Sequence, residues 1–189
     1  MKGYCHLLFA PMRAEASDRS EMVNQLLLSD TVDVVERQNK WSLVKCDYDG
    51  YIGWVDNKQF VPFETAGELA EKLFLHTPYL WGGRSKGGID CSGLTQVCFR
   101  AMGIWLPRDA SQQATAGVEI CACDPRIDDL AFFSNAEGKV IHVGICLGDG
   151  RIIHSSGCVR IDTLDSKGIF NAESNTYSHM LHSIRRVSG

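Results

Sequence analysis

The 189-residue sequence has no apolar run long enough to cross a membrane and no large excess of either charge. Its longest apolar runs, such as Leu26–Leu28, fall far short of the ~18 residues that a membrane span needs. The net charge is −4, and residues 1–63 and 64–189 each carry −2, so neither part has the basic excess of a nucleic-acid-binding domain. We therefore expect no nucleic-acid partner and no membrane partner.

Cysteine is too scarce for a disulfide scaffold. The chain has 8 cysteines, about 4% of its residues and below the ~8–10% typical of disulfide-stabilised domains. Several of them, such as Cys98 and Cys146, lie within apolar runs, as buried free cysteines do. The apolar stretch Leu7–Ala10 is also shorter than the ~7–15 residues of a secretory hydrophobic region. We therefore predict a cytoplasmic protein with reduced cysteines.

Residues 1–63 have the pattern of short strands separated by turns. Apolar and polar residues alternate in Thr31–Glu36 and in Trp41–Cys46, and the turn Asp47–Gly50 leads into Tyr51–Val55. Short alternating segments with frequent turns predict a small all-β barrel or sandwich.

The pattern changes after Pro62, where we place a domain boundary near residue 63. Apolar spacing predicts a helix from about Ala66 to Phe74, with Thr65 or Glu64 as its N-cap. A second helix follows Asp90, and a short third helix is expected at Ala110–Thr115. The candidate strands all come later: Leu130–Ser134, Lys139–Leu147, Arg151–Ser155, Val159–Asp162 and Ser183–Val187. Helices followed by strands predict an α+β domain, with helices packed on an antiparallel sheet, for residues 64–189.

Cys91 is the candidate nucleophile. Asp90 is placed to cap the second helix, so Cys91 falls in the first turn, where the helix dipole is expected to lower the pKa of a thiol. Cys91 lies three residues before Leu94, on the apolar stripe that faces the sheet. The preceding glycine-rich segment, Trp81–Gly88, allows a substrate backbone to approach closely.

Two histidines of a predicted hairpin are candidates for the base and for the residue that orients it. If Gly148–Gly150 forms a three-residue turn, Leu147 faces Arg151 and Gly144 faces His154. His142 and His154 then lie diagonally on one face, about 7–8 Å apart. This arrangement supplies the base and third group that a cysteine nucleophile needs.

Zinc binding is the main alternative chemistry. Cys121 and Cys123 with a histidine are possible ligands, but the C-x-C spacing and the lack of a second suitable cysteine pair disfavour a zinc site. A cysteine at a helix start and two histidines in a hairpin are also often structural. The combination of a cysteine at a capped helix start, a glycine-rich segment before it and a hairpin with two histidines favours catalysis, without a metal or an organic cofactor.

Five motifs follow one another in the second part of the chain: Pro78–Gly83, Gly88–Gly93, Leu106–Gln113, Ile141–Ile145 and Ile153–Ser155. Their sequences and order closely resemble the NlpC family of bacterial cell-wall cysteine peptidases. The resemblance covers about residues 64–189, while residues 1–63 resemble, less closely, a bacterial SH3-like domain. The joint pattern is similar to that of γ-D-glutamyl-L-diamino acid peptidases that act on murein peptides.

The resemblance implies a papain-like fold with Cys91 as nucleophile, His142 as base and His154 as the residue that orients His142. It places Tyr79 beside the nucleophile as a substrate and oxyanion contact. Asp90 and Ser92 match positions that hold the free amine of the substrate's L-Ala, although Asp90 also has a capping role. One more position matches a substrate-contacting residue, Ser111. Arg108 and Asp109 are expected to be structural.

In related enzymes a glutamate and a tyrosine of the SH3-like domain line the substrate cleft. Glu21 and Tyr51 are the candidates here, with Glu15 and Tyr48 as alternatives. The predicted reaction is hydrolysis of the amide between γ-D-Glu and Lys or diaminopimelate in murein peptides with a free L-Ala, in wall recycling. A monomer is expected. The alternatives are a thiol-dependent amidase or acyltransferase on this fold, and a non-catalytic murein-binding module.

Overall fold

The structure, a computed structural model, describes residues 1–187. The chain divides into two compact units, Met1–Glu64 and Thr65–Gly189. No helix among the described residues has the length and apolar character needed to cross a membrane.

The first unit contains only strands: β1 (Lys2–Cys5), β2 (Phe9–Arg13), β3 (Met22–Leu27), β4 (Thr31–Gln38), β5 (Trp41–Cys46), β6 (Ile52–Asp56) and β7 (Phe60–Phe63). They form one antiparallel sheet in the order β3-β2-β6-β5-β4-β1-β7. Alternate residues of these strands, among them Met12, Val32, Val44 and Val55, form a buried apolar core. The predicted small all-β domain is confirmed.

The second unit contains three helices and nine strands among its described residues: α1 (Ala66–Phe74), β8 (Arg84–Ser85), β9 (Gly88–Ile89), α2 (Cys91–Ala101), α3 (Ala110–Gln113), β10 (Val118–Ile120), β11 (Leu130–Ser134), β12 (Val140–Gly148), β13 (Arg151–Ser156), β14 (Cys158–Leu164), β15 (Gly168–Asn171) and β16 (Thr176–Arg186). Helices come first and the main sheet follows, so the predicted α+β class is confirmed.

The main sheet of this unit closes into a barrel. Its order is β10-β16-β11-β12-β13-β14-β15, and β16 also pairs with β15, which joins six strands in a ring. The sequence did not predict β10 or β15, and β16 begins well before the predicted Ser183. The barrel core includes Phe133, Cys146 and Ile152. The opposite face of β12 lies against α1, because a side chain at Gly67 would contact Leu147 and Ile145.

The hairpin that carries both candidate histidines differs from the prediction at its turn. Gly144 faces His154, as predicted, but Gly148 rather than Leu147 faces Arg151. A register shift between Cys146 and Gly148 leaves two residues, Asp149 and Gly150, in the turn, both with positive φ. Because the bulge absorbs one residue, the pairing beyond it is the one that the three-residue turn predicted.

Candidate active site

The start of α2 fixes the position of Cys91. Asp90 is the N-cap, and its Oδ1 accepts a hydrogen bond from the Gly93 N–H at 2.7 Å. The other carboxylate oxygen, Oδ2, accepts the Gly82 N–H at 2.7 Å, which ties the glycine-rich segment to the helix. Gly93 has no room for a side chain, because a Cβ there would overlap the carbonyl oxygen of Gly83. Cys91 therefore enters the first turn of α2 from a tightly constrained loop.

Asp90 also forms a bidentate ion pair with Arg108. The two guanidinium nitrogens lie 2.6 Å and 3.0 Å from the two carboxylate oxygens, and one of them also lies 3.0 Å from the Ser92 hydroxyl. Burial alone would raise the pKa of Asp90, but the hydrogen bonds from Arg108, Gly93 and Gly82 hold it below its ordinary value. Together with the Ser92 hydroxyl, 3.5 Å from Oδ1, these contacts use the roughly four acceptor positions of a carboxylate. In this structure Asp90 caps the helix and binds Arg108, and its predicted contact with a substrate amine stays a prediction.

The environment of the Cys91 thiol differs from the sequence expectation. Burial raises its pKa above the ordinary value, although backbone N–H groups, chiefly that of Val143, act in the opposite direction. The expected lowering of the pKa by the helix start is therefore wrong for the substrate-free protein, because desolvation of the thiolate exceeds the effect of those N–H groups. The influence of Val143 places the thiol beside the part of β12 that carries His142.

His142 and His154 form a buried hydrogen-bonded pair. Nε2 of His142 lies 2.9 Å from Nδ1 of His154, and the two rings are nearly perpendicular. Nε2 of His154 in turn lies 2.9 Å from Oδ2 of Asp162. Gly144 permits this approach, since a Cβ there would lie 3.0 Å from the His154 Cβ and 2.7 Å from Ile152. Within residues 1–187 the Cys91 thiol makes no hydrogen bond to His142.

A third histidine covers His142. The ring of His179, on β16, stacks on the His142 ring with 4.1 Å between centroids, and Phe133 lies 5.8 Å from it. Burial lowers the pKa of His142 well below its ordinary value, and the neighbouring His179 and His154 add to this shift. Burial also lowers the pKa of His179 to about 4. Both rings are therefore neutral near pH 7.

These three histidines are also the one cluster of potential metal ligands among the described residues, with their ligand atoms within 4.8 Å of one another. An imidazole binds a metal along the lone pair in its ring plane. The His142 and His179 rings are stacked at an interplanar angle of 22°, so their lone pairs do not converge on one point. The arrangement is better suited to proton transfer than to metal binding.

The other predicted contacts of this unit lie around α2 and α3. Burial raises the pKa of Tyr79, and Cys91 and Asp90 add to this shift, so the phenol is close to both residues. Ser92 is buried and accepts a hydrogen bond from Arg108. Ser111 is exposed on α3. The side chain of Gln113 holds α3 near the helix start through the Ser92 carbonyl oxygen at 3.0 Å.

The predicted residues of the first unit lie at the ends of loops. Glu21 is exposed just before β3, and its carbonyl oxygen accepts the Ala14 N–H. Tyr51 is 39% exposed just before β6, whereas the alternative Tyr48 is 94% exposed. Glu15 is exposed as well. Their roles in substrate binding stay predictions.

Sequence reasoning missed Asp162 and His179. Asp162 was within reach, because Ser156 faces Cys158 across a tight turn and the register of β13 and β14 places Asp162 diagonal to His154. The same reasoning had paired His142 with His154. His179 had no such signal, since it depends on a strand pairing between segments far apart in the chain. Arg108 was expected to be structural, and its pairing with Asp90 was not foreseen.

Six cysteines are free, and five of them are buried. Cys121 and Cys123, by contrast, are exposed, and their two sulfur atoms are in contact. For this pair the expectation of reduced cysteines stays a prediction. The two Cα atoms lie 5.2 Å apart in a turn, within the usual range for a disulfide.

The geometry of a cysteine at a helix start beside a buried histidine pair agrees with the family comparison. Residues 76–178 match the NlpC/P60 family, so this chain belongs to that family. Residues 12–60 match the bacterial dipeptidyl-peptidase SH3 domain. The expected papain-like peptidase fold with an SH3-like domain is confirmed.

Two curated relatives carry the name gamma-D-glutamyl-L-lysine dipeptidyl-peptidase. The one from Bacillus subtilis is 47% identical over 85 residues, which are 44% of this chain and 29% of the relative. The one from Bacillus cereus is 40% identical over 99 residues, 50% of this chain and 30% of the relative. A crystal structure of an NlpC/P60 family protein from Bacillus cereus aligns with a TM-score of 0.62 at 26% identity, over 98% of this chain and 63% of that one. The chain thus spans less than two thirds of the length of each of these three proteins.

Proposed function

We propose that this protein is a cysteine peptidase that hydrolyses the amide between γ-D-Glu and Lys or diaminopimelate in short murein peptides. The observation that carries the proposal is the placement of Cys91, at a capped helix start, beside β12, whose His142 is hydrogen-bonded to His154 of β13. The family membership and the names of the two curated relatives support this substrate class.

In the proposed first step, Cys91 attacks the γ-carbonyl carbon of D-Glu while its thiol proton passes to His142. Backbone N–H groups of the first turn of α2 have no partner inside the helix. That of Cys91, together with the Tyr79 hydroxyl, stabilises the negative oxygen of the tetrahedral intermediate. Since burial raises the pKa of Tyr79, its phenol keeps the proton that it donates in this hydrogen bond.

The intermediate then collapses to a thioester on Cys91. The C–N bond breaks, and the protonated His142 gives its proton to the departing amine of the diamino acid. A water molecule next attacks the thioester carbonyl and gives a proton to His142. The second collapse releases the γ-D-Glu carboxyl product and returns the proton to the Cys91 sulfur.

The test is mass spectrometry of the products from L-Ala-γ-D-Glu-diaminopimelate and from its lysine counterpart. We expect the free diamino acid and L-Ala-γ-D-Glu, with turnover abolished in Cys91→Ala. Cys98→Ala is the matched control, because Cys98 is a fully buried cysteine of the same helix. Turnover in folded Cys91→Ala, or binding of both peptides without cleavage by the wild type, would contradict the proposal.

We further propose that the substrates are peptides already released from murein, which carry a free L-Ala amine, and that the protein acts in the cytoplasm. The resemblance assigns the amine to Asp90 and Ser92, with Glu21 and Tyr51 as the predicted contributors from the first unit. Glu21→Gln and Tyr51→Phe are expected to raise KM for the free peptide and leave the alkylation rate of Cys91 unchanged. The pair Glu15 and Tyr48 provides the alternative variants.

A further inference from the structure

Asp162 lies at the end of a continuous chain of buried polar groups that begins at His142. Its Oδ2 is 2.9 Å from Nε2 of His154, whose Nδ1 is 2.9 Å from Nε2 of His142. The side chains of His154 and Asp162 are 1% and 6% exposed, so water does not replace these contacts. Among the described residues, Asp162 is the one side chain hydrogen-bonded to Nε2 of His154.

Arg160 holds Asp162 in place. Its Nε lies 2.7 Å from Oδ2 of Asp162, and a terminal guanidinium nitrogen lies 3.0 Å from Oδ1. Burial alone would raise the pKa of Asp162, but the hydrogen bonds with His154 and Arg160 hold it below its ordinary value. Asp162 is therefore a carboxylate near pH 7. Glu173, 3.4 Å from Arg160, is the other charged group at this end, and His179 is the other titratable group that faces the His154 ring.

The carboxylate determines which nitrogen of each imidazole carries its proton. An ionised carboxylate only accepts hydrogen bonds, so Nε2 of His154 must carry a hydrogen. In a neutral imidazole the other nitrogen, Nδ1 of His154, then has only a lone pair. Nε2 of His142 must donate to that lone pair, which leaves Nδ1 of His142 as its basic atom.

We propose that Asp162 is a positioning residue that fixes the tautomers of His154 and His142 and so keeps Nδ1 of His142 free to take the Cys91 proton. When that proton arrives, the positive charge on His142 is shared along hydrogen bonds that end at a carboxylate. This role in the reaction rests on the proposed function, whereas the tautomers themselves are a property of the protein without substrate.

The first experiment is ¹⁵N nuclear magnetic resonance of the substrate-free full chain at neutral pH, which distinguishes protonated from unprotonated ring nitrogens. We expect both His142 and His154 to carry hydrogen on Nε2 and none on Nδ1. A hydrogen on Nδ1 of either ring in the wild-type protein overturns the proposal. This result needs no variant and no activity, so it stands apart from any failure of the peptidase assignment.

The second experiment compares Asp162→Asn with Asp129→Asn. Asparagine at 162 offers one acceptor oxygen to three N–H donors, so the hydrogen of His154 is no longer held on Nε2. Asp129 is a matched control, because it is buried and forms the same bidentate pair with Arg186, at 2.8 Å and 2.7 Å, away from any histidine.

For Asp162→Asn we expect mixed tautomers and a kcat lower by about 10- to 100-fold, with little change in KM. This is less than the ~10⁴-fold loss seen where an aspartate contacts the base directly. The acid limb of the kcat profile is expected to move to lower pH, because the imidazolium loses a stabilising charge. For Asp129→Asn we expect a lower Tm alone. Unchanged tautomers in Asp162→Asn, or equal kcat losses in the two variants, contradict the proposal.

Discussion

At the scale of single residues, the burial of Cys91 and His142 determines the pH dependence of the thiol. Burial raises the pKa of the thiol and lowers that of the imidazole, so both groups are neutral near pH 7 in the substrate-free protein. We therefore expect the thiolate to form by proton transfer to His142 when substrate is bound, and we do not expect a preformed thiolate–imidazolium pair.

Iodoacetamide labelling tests this neutral pair. Because the pKa of Cys91 is raised, the thiolate fraction grows only as pH rises past the ordinary midpoint of a thiol, about 8.5. We expect the alkylation rate at Cys91, followed by peptide mass spectrometry, to keep rising above that pH. A rate that is already constant between pH 6 and 8 would show a preformed thiolate.

At the scale of elements, the close spacing of strands β12 and β13 depends on the absence of a side chain at Gly144. In Gly144→Ala the new Cβ would lie 2.7 Å from Ile152 and 3.0 Å from the Cβ of His154, which forces the two strands apart. Overpacking of this kind costs about 1–3 kcal/mol. We expect a lower Tm. We also expect kcat per folded protein to fall, because the His142–His154 hydrogen bond lengthens.

Gly87→Ala is the control for this substitution, since its Cβ would meet only the Ser85 hydroxyl oxygen at 3.6 Å. Both variants are measured by thermal melting and by peptide hydrolysis per folded protein. A Gly144→Ala protein with wild-type kcat would contradict the link between strand spacing and the histidine pair.

The helices and the histidine hairpin could be predicted because their signals are local. The apolar stripe and Thr65 cap give α1 its observed bounds, and alternation gives the Gly144–His154 register despite the bulge at Leu147. The raised pKa of Cys91 could not be predicted, since desolvation depends on packing from distant segments. Gly168–Asn171 is a short segment with little alternation, so β15 gave no signal of its own.

At the scale of the whole molecule, the predicted requirement for a free L-Ala amine determines which murein peptides the protein is expected to cleave. The sequence suggests strong discrimination between a free and an acylated substrate amine, because an acylated amine would leave the Asp90 carboxylate unpaired at a high cost in free energy. Arg108 removes most of that cost by keeping Asp90 paired. The loss of one charge-assisted hydrogen bond, about 1.5–3 kcal/mol, then sets the effect, which corresponds to about a 10- to 100-fold lower kcat/KM.

The measurement compares L-Ala-γ-D-Glu-diaminopimelate with its N-acetylated form at equal concentration. We expect the free peptide to be cleaved faster by the factor above. Equal kcat/KM for the two peptides would remove the amine requirement and, with it, the proposed preference for peptides already released from murein.

The domain order and the α+β class could be predicted at this scale, but barrel closure could not. Closure depends on β16, which pairs with β11 along one side and β15 along the other. Pairings between segments this far apart leave no periodic signal in the sequence. The same closure brings His179 onto His142, which is why the third histidine was missed.

The position of β16 in the chain also sets an order of events during synthesis. It is the last of the six barrel strands to leave the ribosome, and until it does, β11 and β15 each have an edge without a partner. One strand then covers both edges and delivers His179 to the histidine pair. A nascent chain that has not yet reached Thr176 therefore holds an open sheet and an incomplete site. Peptidase activity is thus expected only once translation has passed this strand.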